Sequence, residues 1–201
     1  YYDFYNPEEV QIVAGHIIHS YFLNLLGKTF YLLLDGEKNT GKSSLQNVMA
    51  LLQYNGCFIG KSSIPAMVRL IHHLQASINL DEFEKLDSKD KMVVTGILNT
   101  GAYKGGTRSL VNMDAKGNEA NKIIIQKTFG AKTFSVNRAH FSESFTSRCV
   151  VVNTIRNRRK VKSIYAISSQ GRAEFQELRD MIFGYVLKNG RAIVAEIAEI
   201  Q

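Results

Sequence analysis

The chain has 201 residues, 45% of them hydrophobic and 21% charged, a balance that suits one domain with a sizeable core. No apolar run approaches bilayer-spanning length, the first residues have neither a charged n-region nor an h-region, and the two cysteines lack metal-ligand spacing. These features argue against membrane insertion, a secretion leader and a zinc centre, while the net charge of +7 is compatible with a polyanionic partner without requiring one.

In chain order, Asn6-Pro7-Glu8-Glu9 reads as a helix start, and Val10, Val13, Ile17, Tyr21, Leu23 and Leu26 extend an amphipathic helix to Gly27. The apolar run from Thr29 to Leu34 is a buried strand, and a helical pattern from Ser43 through Leu45, Val48, Met49 and Leu52 follows. Next come a strand at Cys57-Phe58-Ile59, a helix capped by Ser63 with Pro65 in its first turn, and a strand from Ser77 to Glu82 that ends in the two acids Asp81-Glu82. A further helix spans about Ser88 to Tyr103. His72 and His73 are adjacent on a helix and cannot present both rings to one face, so they make a poor metal pair.

From Gly105 the pattern changes. Thr107 to Asp114 and Asn121 to Gln126 read as hairpin arms with Lys116-Gly117 near the tip, followed by a strand from Ala131 to Asn137 and another from Cys149 to Val152. A helix from about Gln170 to Lys188 and a weaker one from Ala192 close the chain. Cys57 and Cys149 are expected as buried free thiols of a reducing compartment. Strands alternating with helices predict an α/β fold with a mostly parallel sheet between helices, ligands collecting at the carboxyl ends of the strands.

The stretch Gly36-Glu37-Lys38-Asn39-Thr40-Gly41-Lys42-Ser43 fits the phosphate-loop pattern at every fixed position, with a strand before it and a helix after it. Gly36 and Gly41 let backbone N–H groups turn toward phosphates at a helix N-terminus. Lys42 is placed to reach the β- and γ-phosphates of ATP, and Ser43 to ligate Mg²⁺, with Ser44 completing the cradle. A surface turn could match the pattern alone, but not with this strand and helix around it. Asp81 and Glu82 suit Mg²⁺ positioning and activation of the attacking water, whereas Glu84 and Asp87 read as solvated. Arg108, Lys116, Lys122 and Lys127 give the hairpin repeated positive charge able to track a nucleic-acid backbone; a β-insertion with a soluble tip is the plainer alternative. The later cluster Arg156, Arg158, Arg159, Lys160 and Lys162 is either a solvated connector or an additional phosphate-contacting patch.

Over roughly residues 29 to 155 this succession resembles an AAA+ P-loop ATPase core. The cradle matches Walker A, residues 78–82 match Walker B, Asn137 matches the polar sensor-1 residue, and Arg148 in Ser147-Arg148-Cys149 matches an arginine finger. Within that group it is most similar to superfamily 3 helicases and to phage or plasmid primase-helicase ATPase domains. Asn39 to Ser43, the helix before the first strand and the basic hairpin before sensor 1 carry this likeness, and residues 128–132 also resemble the stretch before sensor 1 in the phage enzymes.

The resemblance implies an N-terminal helix at 1–28, an ATPase core at 29–162 with hairpin 106–127, and a short helical lid at 163–201. It implies a Mg²⁺-dependent ATPase, a ring-forming DNA helicase or translocase, acting on single-stranded or forked DNA as a homo-oligomer, typically a hexamer, beside other replication proteins. Its place would be the cytoplasm, at a nucleoid or a viral or plasmid replication site. The other reading is a nucleotide switch that loads or remodels a protein partner. Arg148 would serve the neighbour's ATP, and Arg172 is the residue placed for a sensor-2 role, with a plain surface arginine as the alternative. Arg138 could stand in for Asn137. The chain begins on Tyr1 rather than Met, so a fragment of a longer protein is expected.

Overall fold

The computed structural model describes residues 2–4, 6–60, 64–111, 123–137, 143–156 and 160–200. Ser63, Lys116, Lys122, Arg138, Arg158 and Arg159 lie outside the described residues.

Helix α1 (Pro7–Phe22) starts where Asn6 Oδ1 accepts the Glu8 N–H at 3.0 Å, with proline in its first turn. The chain continues through β1 (Tyr31–Asp35), α2 (Lys42–Leu52), β2 (Gly56–Ile59), α3 (Ile64–Leu74) and β3 (Ser77–Leu80). A 3-10 turn (Phe83–Lys85) leads into α4 (Ser88–Thr100), which Asp87 caps by accepting the Asp90 N–H at 2.7 Å. Asp87 is therefore a helix cap rather than a merely solvated acid. Then come the hairpin strands β4 (Thr107–Val111) and β5 (Ile123–Lys127), β6 (Lys132–Val136), α5 (Glu143–Thr146), β7 (Cys149–Asn153), a second 3-10 turn (Ile164–Ala166) and α6 (Ser169–Ile200).

Among the described residues five strands form one sheet in the order β2-β3-β6-β1-β7, and its four pairings are parallel. In β1, Tyr31 and Leu33 face a core built with α3 and α4, while Leu32 and Leu34 face a second core built with α1 and α2. Burial on both faces explains the uninterrupted apolar run, since a central parallel strand has no solvent side. The chain leaves β1 for the far edge at β2 and later inserts β6 between β3 and β1. Such a change of direction opens a crevice outside the carboxyl ends of neighbouring strands, where Gly36 and Asp81 emerge.

The hairpin forms a separate antiparallel pair, with Arg108 opposite Gln126. Its base closes through the Thr128 N–H to Gly106 O at 2.9 Å, and His72 Nδ1 accepts the Lys127 N–H at 3.1 Å. One member of the histidine pair thus docks the hairpin on α3. Ile123 and Ile125 on β5 stay 65% and 62% exposed.

Helix α6 runs unbroken for 32 residues, where two helices were expected around Gly190. A Cβ on Gly190 would meet Leu25 Cδ1 at 3.2 Å and Phe22 Cε1 at 3.6 Å. The glycine admits a close approach to the end of α1 rather than ending the helix. Among the described residues no helix is long and apolar enough to cross a membrane. Cys57 and Cys149 are free but only partly buried, because β2 and β7 are the edge strands.

Lys132, at the start of β6, is fully enclosed: its Nζ donates to Thr128 O at 2.8 Å and Gly130 O at 2.9 Å and lies 5.1 Å from the centre of the Tyr31 ring. Burial pushes its pKa down to about 7. With the folded pKa below the ordinary lysine value, the unfolded chain holds the extra proton between about pH 7 and 10, so this burial penalty shrinks as pH rises through that window. The urea midpoint of the wild type should therefore rise relative to that of Lys132→Met between about pH 7 and 9. A difference that stays constant with pH would refute this.

Candidate functional site

The loop after β1 is held from the neighbouring strand end. Thr154 donates its N–H to Asp35 O at 2.6 Å and its hydroxyl to the same oxygen at 3.0 Å, and Thr40 Oγ1 lies 2.9 Å from Thr154 Oγ1. A Cβ on Gly36 would sit 2.3 Å from both Thr154 O and Thr154 Oγ1, so only glycine fits. Gly36→Ala should weaken nucleotide binding by tenfold or more and lower Tm by about 2–4 °C, a shift of about 1 kcal/mol in a domain of this size. Calorimetric titration and thermal melting read the two effects, and unchanged affinity would overturn the prediction.

Asn39 and Gly41 adopt left-handed backbone, with φ of 65° and 86°. This turns the chain into α2, whose N-terminus carries no side-chain cap among the described residues and borders the cleft. Lys42 Nζ folds back onto Gly36 O at 2.5 Å and Glu37 O at 2.7 Å. Desolvation lowers its pKa, while Glu84, Asp35 and Asp81 oppose the shift.

The opposite wall converges on Asp81. Ser43 Oγ donates to Asp81 Oδ2 at 2.6 Å, and Asp81 Oδ1 accepts from Ser135 Oγ and from the Glu82 N–H at 3.0 Å. The Glu82 N–H also reaches Ser135 Oγ at 3.0 Å, which ties the ends of β3 and β6 together. Gln46 Nε2 donates to Leu80 O at 3.0 Å and anchors α2 to the residue before Asp81. Glu82 has left-handed backbone (φ 54°), and its carboxylate pairs with Lys85.

One cleft of about 550 Å³ brings together residues 38–44, Asp81, Glu82 and Asn137. Gly36 and Glu37 line the adjoining depression with Thr154. Glu84, in the 3-10 turn that follows Glu82, also lines the cleft and is half-buried rather than solvated. Periodicity did not single out Ser135, Thr154, Lys85 or Tyr165. Ser135 was legible in principle, two residues before Asn137 and hence on the same strand face.

Arg148 lies elsewhere. Its carbonyl accepts the Tyr31 N–H at 2.8 Å, and its side chain lines a depression with Lys28, Thr29, Phe30 and Tyr103 at the amino edge of the sheet. The length of β1, roughly 17 Å for five residues, separates it from its own cradle. Arg108 does not line the cleft either.

No family model matches the chain, and no curated protein matches its sequence. Among solved structures it is similar to the active helicase Cch of SCCmec type IV, with a TM-score of 0.51 and 11% identity over 92% of this chain and 36% of that one. Two further matches are the apo C-terminal region of NrS-1, at TM-score 0.44, 15% identity and 92% and 45% coverage, and the JCV helicase bound to a thiazolopyridine acetamide, at 0.46, 10%, and 95% and 62%. The chain spans less than two thirds of each of these proteins. The likeness to Cch is one of fold, and with the β1–cradle–α2 geometry it identifies this chain as an α/β protein of the P-loop nucleotide-triphosphatase fold.

Proposed function

We propose that this chain is a Mg²⁺-dependent ATPase of nucleic-acid replication that works as a ring, a hexamer in the simplest case, on single-stranded or forked DNA. The observation that carries the reading is the 2.6 Å contact between Ser43 Oγ and Asp81 Oδ2 at the mouth of the cradle. A hydroxyl and one carboxylate fit Mg²⁺, which keeps several waters and shares its remaining ligands with substrate phosphates. Bound there, the ion would neutralise charge on the phosphates.

Lys42 would exchange the carbonyls of Gly36 and Glu37 for phosphate oxygens, a stronger pairing between opposite charges. Glu82 would orient the attacking water, its carboxylate paired with Lys85 until the substrate arrives. Asn137, at the end of β6, would offer both a donor and an acceptor on the same side of the cleft. Arg148 would act in the neighbouring subunit's site, stabilising charge on the transferred phosphoryl. Its place at the opposite edge of the sheet supports this division.

The basic hairpin would touch DNA. Lys116→Ala is expected to reduce stimulation of ATP hydrolysis by single-stranded DNA, to lower the salt dependence of DNA binding by about one charge, and to leave nucleotide affinity unchanged. Stimulation equal to that of the wild type would remove the translocase reading. The exposed Ile123 and Ile125 favour a second reading, a nucleotide switch whose hairpin grips a protein. ATPase assays with and without single-stranded DNA, with Lys42→Ala as the dead control, separate the two.

A further inference from the structure

Tyr165 is the one aromatic side chain among the described residues lining the cleft. It comes from the 3-10 turn at Ile164–Ala166, beyond the last strand of the sheet. Ile164 anchors that turn at 5% exposure, and the turn packs on α2, the helix that starts at the cradle. Neighbouring side chains of a 3-10 turn point about 120° apart, so burying Ile164 directs Tyr165 outward, where it is 70% exposed. A large ring held on an anchored turn, bare to solvent and bordering a phosphate cradle, is a stacking surface that no ring among the described residues covers.

The other cleft residues have different work. Lys42 and the α2 N-terminus carry the positive character suited to phosphates, and Ser43, Asp81 and Ser135 form one hydrogen-bonded set. None of them offers a flat apolar face. From this arrangement we infer that Tyr165 is the platform on which the nucleobase of the bound nucleoside triphosphate stacks. The inference rests on the proposed ATPase reading and adds to it how the base is held. Stacking on an aromatic face accepts every base, because all have a π-face, so affinity should depend on the ring more than on which base is present. Tyr165 is then a binding residue that acts on nucleotide affinity and leaves the phosphoryl chemistry to others.

The test is calorimetric titration of the chain and its Tyr165→Ala, Tyr165→Phe and Tyr165→Trp variants with ATP, GTP and inorganic tripolyphosphate in the presence of Mg²⁺. Tyr165→Ala should weaken ATP and GTP alike by about tenfold or more. Tripolyphosphate, which has no base, should bind the variant as it binds the wild type. Tyr165→Phe and Tyr165→Trp should retain wild-type affinity for both nucleotides, since each keeps a stacking face. Equal affinity of Tyr165→Ala and wild type for ATP would overturn the inference alone. So would a parallel loss of ATP and tripolyphosphate binding, which would mark the residue as a structural support of the cradle. Failure of the wild type to bind ATP or tripolyphosphate at all would overturn the ATPase reading and the inference with it.

Discussion

Replacing Lys42 with alanine should lower ATP hydrolysis by about a hundredfold or more while shifting Tm by only a few degrees. The split follows from where the ammonium sits. Its hydrogen bonds go to two carbonyls of a half-exposed loop, Gly36 O and Glu37 O, which water can satisfy once the side chain is gone. The folded state therefore loses little. Transition-state charge on the phosphates, by contrast, would lose a preorganised donor. Desolvation already lowers the Lys42 pKa, with Glu84, Asp35 and Asp81 opposing the shift. Steady-state hydrolysis and thermal melting on the same preparation check both halves. Hydrolysis within a few fold of wild type would mean that the cradle is not the catalytic site.

Arg148→Ala should cost a comparable or larger factor, about a thousandfold, with nucleotide affinity close to that of wild type. The distinguishing result is complementation. Mixing inactive Arg148→Ala with inactive Lys42→Ala should restore part of the activity, because some neighbouring pairs would then combine an intact cradle from one subunit with an intact arginine from the other. Each protein alone would stay inactive at every concentration. Geometry requires this form of the test, since β1 spans the sheet between Arg148 and the cradle of the same chain. No recovery on mixing two folded, nucleotide-competent variants would exclude a shared site. Mass measurement with and without Mg-ATP adds a check: a chain that stays monomeric at working concentration would contradict the role given to Arg148.

How much could be read before the fold depended on whether the signal was local. The strand–loop–helix around Gly36 to Ser43 was legible because phosphate binding needs glycines, a lysine and a hydroxyl at short fixed spacings within one turn of chain. Asp81 and Glu82 were legible because a buried strand that ends abruptly in acids marks its own carboxyl end. The hairpin arms, expected at 107–114 and 121–126, were legible as extended stretches on either side of a turn signal, and the described strands are 107–111 and 123–127. Gly190 misled, because a glycine that admits a neighbouring helix looks the same in sequence as one that ends its own. Glu84 misled for a similar reason: an acid after a strand reads as solvated until the path of the following turn is known.

By itself, then, the sequence determined the parts: a cradle, an acid pair, a polar strand end, a basic hairpin and an arginine before the last strand. Each depends on a few adjacent residues and their backbone geometry. Only the tertiary structure decided their arrangement. Inserting β6 between β3 and β1 sets Ser135 beside Asp81, and the neighbouring end of β7 sets Thr154 against Gly36. The same parallel sheet puts Arg148 at the opposite edge from the cradle and buries Lys132 under Tyr31, while the turn after β7 brings Tyr165 to the cleft. Those contacts join residues far apart along the chain. They are fixed by strand order and packing, which periodicity in a single sequence does not encode.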